Sequence, residues 1–515
     1  MALHNKKIIF SSFFLLLLPP IFFGFPDYYG DDYHFVNIES KESFYLQSLT
    51  IWIDNYGISY RPAGILINIF LYKIFSWNLV IFYFFSVIAY LTLAYRAYTL
   101  SLKISDHQLD LSIFIFIFFI FFPFNSSVYY QLISMYMVVT YIGLFYFLEK
   151  FIDYYEPSFG KNIIFSLCWL ILLFSYESLI GISVILPILY FFKIRNSNEI
   201  FLLKKHLYVI LTIGIPTVIF LFLYISNPLN TKINNLSETI SLEKSIISIE
   251  DTKEGEVTIE KVNKFKSNKV EEFFNKSKKS FSFFLKNISY FFNFSKSNYF
   301  FLILYLFVIL HIVINIFKFK INTTTSNTSL LYILFGFLWT VGSIAPFLLY
   351  PGFVIPVYHL LLPSFGLAFL LYGITTLIFG NKKLFFIKSL FILLLFFFPI
   401  IHISYFFGLK EELNFLNNVS SKINIYSSEL KTNENLILIN IPDKKNNHIF
   451  WFENALSKRY LKYKINYDGI GKFKVKNSDS IHFIDKQKTD IIKVNFFEHT
   501  DNYQYFDYFD GKTHN

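Results

Sequence analysis

Long runs of Phe, Ile, Leu and Tyr, broken by short polar stretches, set the pattern of this chain. Runs of that kind suit lipid rather than a water-exposed surface, and a helix needs about 20 apolar residues to cross the hydrocarbon. The pattern predicts spans near 8–25, 79–100, 111–125, 132–148, 162–176, 178–193, 207–226, 299–317, 329–350, 357–379 and 384–407, about eleven crossings in all. Segment 61–75, which opens Arg61-Pro62-Ala63-Gly64, is too short to span comfortably. It is predicted to lie in the membrane interface, with Trp77 as an anchor.

The stretch 162–193 admits two readings, one over-long helix or a tight hairpin. Lys161 at one end and Lys193, Arg195, Lys204 and Lys205 at the other all prefer the cytoplasm, so the hairpin is expected, with Ser175-Tyr176-Glu177-Ser178 at its outer tip. The same rule puts Lys6/Lys7, Arg96/Lys103, Lys150/Lys161, Lys318/Lys320 and Lys382/Lys383 inside. The amino terminus is then cytoplasmic and the carboxyl terminus extracytoplasmic. Pro19-Pro20 and Phe22-Phe23 leave no small-residue cleavage site after the first run, which is expected to be retained as a span.

Two segments leave the membrane. Residues 227–298 form an outer loop rich in Lys, Glu, Ser and Asn. In its second part Val270, Phe273, Phe274, Phe281, Phe284, Leu285 and Ile288 recur at helical spacing, which predicts an amphipathic helix. Residues 408–515 are predicted to be a small soluble domain, with a strand at 436–441, a helix at 449–460 and strands at 480–484 and 490–497. The expected fold is therefore an all-α polytopic membrane domain over 1–407, with an extracytoplasmic α/β or α+β unit after it.

Composition agrees: 54% of residues are hydrophobic, 22% aromatic and 16% charged. The net charge of +10 reports topology, because Lys and Arg sit in loops between spans, and no nucleic-acid partner is expected. A single cysteine, Cys168, excludes an internal disulfide and a Cys-based metal cage. No phosphate-cradling Walker loop, His-Glu-x-x-His helix or nucleophile elbow is present in the sequence.

Candidate chemistry concentrates in the first outer loop, residues 26–78, at Gly30-Asp31-Asp32. Adjacent carboxylates repel, so near a low-dielectric boundary one of them should hold its proton more tightly and be able to act as a base. A solvated turn would use the same residues. Asp27 and Asp54 share the loop. Arg61 could grip phosphate oxygens with its fork or snorkel at the interface. Glu177 interrupts two apolar runs and, at a hairpin tip, is expected to face the outer cavity. It could bind acceptor hydroxyls, help hold a divalent cation with Asp32, or cap the hairpin. Tyr130 and Gln131, at another outer tip, suit sugar stacking and hydrogen bonding, and an aromatic belt also explains the tyrosine.

A first span, an outer acidic pair, an interfacial Arg-Pro-x-Gly helix, many further spans and an outer carboxyl-terminal domain together resemble the C superfamily of integral-membrane glycosyltransferases (GT-C). The resemblance covers the layout of the first 400 residues or so. It implies a donor sugar carried on a polyprenyl phosphate, a glycan or glycolipid acceptor, and Asp31 or Asp32 as the base of an inverting transfer. The mechanism it implies needs cations at the departing phosphate, for which Arg61 and His359 are the candidates, while Glu177, Gln131 and Tyr130 are candidates to attend the acceptor or a metal. Tyr358-His359 departs from the Arg-Tyr pair often found near such a proline. A glycan polymerase or ligase would be expected to depend on arginines in large outer loops, and 227–298 has none. A transporter or flippase would be expected to show paired halves or midplane charges.

Overall fold

The structure is a computed structural model that describes residues 2–26, 61–75, 78–105, 107–122, 125–130, 132–153, 158–194, 202–225, 299–317, 329–348, 357–379 and 383–426, with short strands beyond. The helices are α1 (Ala2–Phe23), α2 (Pro62–Phe75), α3 (Leu79–Ile104), α4 (Leu109–Phe121), α5 (Ser126–Tyr130), α6 (Met135–Ile152), α7 (Phe159–Ser175), α8 (Ile180–Ile194), α9 (Leu202–Ile225), α10 (Tyr299–Phe317), α11 (Ser329–Leu348), α12 (Leu361–Phe379) and α13 (Lys383–Tyr426).

The chain is a multi-pass membrane protein. Among the described residues, five helical stretches are long and apolar enough to cross a bilayer: Leu79–Ile104, Met135–Ile152, Ser329–Pro346, Leu361–Phe379 and Phe385–Lys410. The other predicted spans correspond to shorter apolar helices of 10–17 residues. Helix α4 explains part of the difference from the expected eleven. Every residue from Asp110 to Phe121 is buried, so protein rather than lipid encloses the helix on all sides. Its length follows its neighbours, and it stops before Pro123, where a helical conformation is disfavoured.

Ring contacts fix how the helices run. Phe119 stacks near Tyr90 while Phe116 meets Tyr98, so α4 is antiparallel to α3. The Tyr83 hydroxyl donates to the Tyr130 carbonyl just before α6, and Arg96 reaches Glu149 near its end, so α3 and α6 run in the same direction. The Ser166 hydroxyl donates to the Thr212 carbonyl, Trp169 Nε1 donates to Thr217 at 3.1 Å and Phe174 meets Phe220, which makes α7 and α9 parallel as well. Two parallel helices consecutive but for α8 require α8 to return between them. The stretch 162–193 is therefore two helices rather than one over-long helix, with the chain broken at Tyr176.

Helix α1 ends at Phe23, followed by Gly24 at φ 83, the left-handed position that closes a helix. Lys410 Nζ donates to the Phe23 carbonyl, placing a cation at the negative end of α1. Helix α13 does not stop at 407: it runs 44 residues to Tyr426, about 66 Å, and so outreaches a hydrocarbon core.

The expected α/β or α+β unit is corrected. The fold is an all-α body, and among the described residues beyond Tyr426 there is no helix to pack against a sheet. What is described there is extended chain of three to six residues per strand, paired in two separate sheets, Asn435–Ile439 with Lys464–Asn466, Tyr503–Asp507 and Lys512–His514, and Lys472–Asn477 with Ser480–Asp485 and Ile491–Asn495. Layered α/β folds need helices against the sheet face, and among the described residues beyond Tyr426 no such layer is present. The predicted helices at 449–460 and within 227–298 lie outside the described residues.

Candidate functional site

The site begins at the first residue of the described chain after the acidic loop. Arg61 has φ 55, a left-handed conformation that a non-glycine residue adopts at a cost on the order of 1 kcal/mol, and it precedes Pro62, which ordinarily favours an extended neighbour. Its carbonyl accepts from Ile65 N at 2.8 Å and so starts α2. Its guanidinium accounts for the strain. Nε donates to Glu177 Oε2 at 2.5 Å, Nη2 donates to Glu177 Oε1, and Nη1 donates to the Tyr136 hydroxyl at 2.7 Å. The guanidinium carbon also lies 4.8 Å from the centre of the Tyr176 ring. A planar fork matched to a carboxylate is the geometry arginine provides and lysine does not.

Glu177 heads a single 3-10 turn, Glu177–Leu179, between α7 and α8. Tyr176 before it is extended, and its N–H closes α7 on the Leu172 carbonyl at 3.0 Å. The expectation that Glu177 faces an open outer cavity is corrected: the residue is 3% exposed. Burial is tolerated because the charge is paired in a bidentate bridge whose arginine side chain is itself only 13% exposed.

The Tyr176 hydroxyl shares a hydrogen bond with His359 Nδ1, and the two rings lie nearly parallel with centroids 5.7 Å apart. His359 sits in the 3-10 turn Val357–Leu360 that leads into α12. Burial, and after it the Arg61 charge, holds its imidazole well below the ordinary histidine range. The native state therefore refuses a proton that the unfolded chain accepts at about pH 6.5, and this contribution to stability is present above that pH and lost as pH falls below it. Melting of the purified protein between pH 7.5 and 5 should show a loss approaching about 1.4 kcal/mol per unit below pH 6.5, and His359→Asn should flatten the acid limb. An unchanged acid limb in that variant would remove His359 from the account.

Gly64 sets how closely α2 approaches. A Cβ there would lie 2.4 Å from the Ser175 carbonyl oxygen and 2.9 Å from Tyr136 Cδ2. The backbone oxygen cannot yield, so Gly64→Ala must push α2 away from the Ser175–Glu177 break and lengthen the Arg61 contacts. We expect it to lower the melting temperature by several degrees, with a cost of about 1–3 kcal/mol for overpacking. A neutral Gly64→Ala would mean that α2 is not seated as described.

Of the residues singled out in the sequence, Arg61, Glu177 and His359 come together, the last through Tyr176. Tyr130 belongs to a different cluster: its hydroxyl pairs with His402 Nε2 at 2.8 Å and its ring stacks on His402 and Tyr405. Asp31, Asp32, Asp27, Asp54 and Gln131 lie outside the described residues. Among the described residues no group of three or more His, Cys, Asp or Glu side chains could hold a metal ion. Sequence reasoning missed Tyr136, which is one of many tyrosines and carries no local signal. Tyr176 was visible only as part of the hairpin tip.

No protein-family model, curated protein or solved structure matches this chain. The chemistry is therefore read from the cluster itself. It holds a strong cation, a carboxylate already bound to it, two phenols and a neutral imidazole. An anionic group arriving here would compete with Glu177 for the same guanidinium N–H groups.

Proposed function

We propose that the protein is a membrane glycosyltransferase that moves a sugar from a polyprenyl phosphate to a cell-envelope glycan or glycolipid at the outer face. The observation that carries this reading is the buried, bidentate Arg61–Glu177 pair, held by Tyr136 and Tyr176 at the point where the acidic first loop enters α2. The base is assigned to Asp31 or Asp32. It takes the proton of an acceptor hydroxyl, the oxygen attacks the anomeric carbon, and the bond from that carbon to the phosphate oxygen breaks. Both electrons of that bond leave with the lipid phosphate, and the anomeric configuration inverts. Arg61 yields part of its bond with Glu177 to the phosphate oxygens, where negative charge grows. Glu177, partly released, accepts from acceptor hydroxyls. Tyr176 and His359 are positioning residues that keep the guanidinium in place.

The same proposal puts the amino terminus in the cytoplasm and the Arg61 end of the helices outside. Support comes from charge: Arg96, Lys103 and Lys150 lie at the other ends of α3 and α6. Cys168 is the only cysteine, so Cys168→Ser gives a clean background for a single cysteine at position 31. An impermeant maleimide added to intact cells should label it. Labelling only after the membrane is opened would overturn the outer-face mechanism.

A further inference from the structure

The helix ends farthest from Arg61 carry a second polar cluster that the proposed reaction does not use. Glu149, buried on α6, accepts from Arg96 Nη1 at 3.2 Å and from the Thr99 hydroxyl. Lys103 donates to the Glu149 carbonyl at 3.1 Å and pairs with Asp153. These contacts pin the last turns of α3 and α6 together. They also turn Arg96 toward the outer surface of the pair, where the Tyr146 ring is 46% exposed. The Arg96 guanidinium carbon lies 4.9 Å from the centre of that ring and Lys150 Nζ lies 5.5 Å from it. Two cations thus flank one exposed aromatic ring.

Charge and shape both say what fits there. Arg96 Nε is buried without an acceptor among the described residues, and Lys150 makes no ion pair among them. Among the described residues three cations, Arg96, Lys103 and Lys150, face two carboxylates, Glu149 and Asp153, so one positive charge is left over among them. Leading to this point is an apolar seam: Ile88 and Tyr95 are exposed along α3, and Val139 and Ile142 are half-buried along α6. Their spacing of three, four and seven residues keeps each set on one helix face.

We infer that the α3–α6 seam binds an anionic phospholipid, its phosphate between Arg96 and Lys150 beside Tyr146 and its acyl chain along Tyr95, Ile88 and Ile142. A soluble phosphate would have no use for the seam. A zwitterionic lipid would leave the surplus charge unmatched, whereas each basic side chain near an anionic headgroup favours it appreciably. The inference is independent of the reaction proposed above.

The test uses the full-length protein in nanodiscs made with equal phosphatidylglycerol and phosphatidylcholine, with retained lipid counted by native mass spectrometry after transfer to detergent. Wild type should retain phosphatidylglycerol over phosphatidylcholine by about fivefold or more, and Lys150→Gln and Tyr146→Leu should each remove most of that preference. Both side chains are on the surface, and an unchanged melting temperature would verify that the variants fold. Lys161→Gln, an exposed lysine at the start of α7, should leave the preference intact. Equal retention of the two lipids by wild type would overturn the inference, as would displacement of phosphatidylglycerol by millimolar inorganic phosphate. An equal loss in Lys161→Gln would do so too, since it would reduce the effect to general surface charge.

Discussion

Arg61→Ala is expected to destabilise the protein by about 3–5 kcal/mol, because it leaves the Glu177 carboxylate buried without its partner. The substitution also removes a donor from Tyr136 and the cation from the face of Tyr176. Relief of the left-handed backbone will not compensate, since alanine is strained at φ 55 too. Arg61→Lys should recover only part of the loss, because an ammonium cannot reproduce two parallel bonds to Oε1 and Oε2. The double variant Arg61→Met with Glu177→Leu separates structure from chemistry. It removes both charges and should restore much of the stability, because well-packed apolar residues often replace a buried pair at little net cost. It should nevertheless transfer no sugar. A double variant as unstable as Arg61→Ala alone would mean that the pair is not what holds α2 on the break between α7 and α8.

The second large effect concerns the acidic loop. Neutralising both carboxylates, Asp31→Asn with Asp32→Asn, should reduce transfer by about a thousandfold or more, the scale on which general base catalysis and its electrostatic support act together. The melting temperature of the double variant, measured beside its activity, separates lost chemistry from lost folding. The single variants decide which aspartate serves: one should be nearly inactive and the other impaired by tenfold or less. Should the double variant retain wild-type transfer in membranes supplied with a lipid-linked sugar, neither aspartate is the base.

Much of the helical body was legible because its signals are local. Arg61-Pro62 marks the start of α2, and a polar tetrapeptide between two apolar runs, flanked by lysines, gives the break at Tyr176. The partnership of Arg61 and Glu177 was not legible. It joins residues 116 positions apart, and a buried glutamate reads from sequence as a misplaced charge until its partner is known. Helix α4 was overestimated for the opposite reason. A run of Ile and Phe looks the same whether lipid or protein surrounds it, and here protein does. The tail was misjudged because short alternating stretches suggested strands and helices in one layered unit, while helix α13 continues well past the expected boundary and no helix follows it among the described residues.

We propose that a covalent transfer takes place at the Arg61 end of the bundle. Its most direct test is the purified protein in liposomes given a panel of polyprenyl-phosphate hexoses and pentoses with lipid extract as acceptor, followed by NMR of the product. The expected product carries a new glycosidic bond whose anomeric configuration is inverted relative to the donor, with one polyprenyl phosphate released per sugar transferred, and Arg61→Met/Glu177→Leu should form no product. Movement of the lipid-linked sugar across the bilayer with no covalent product, or a product that retains the donor configuration, would contradict the proposal.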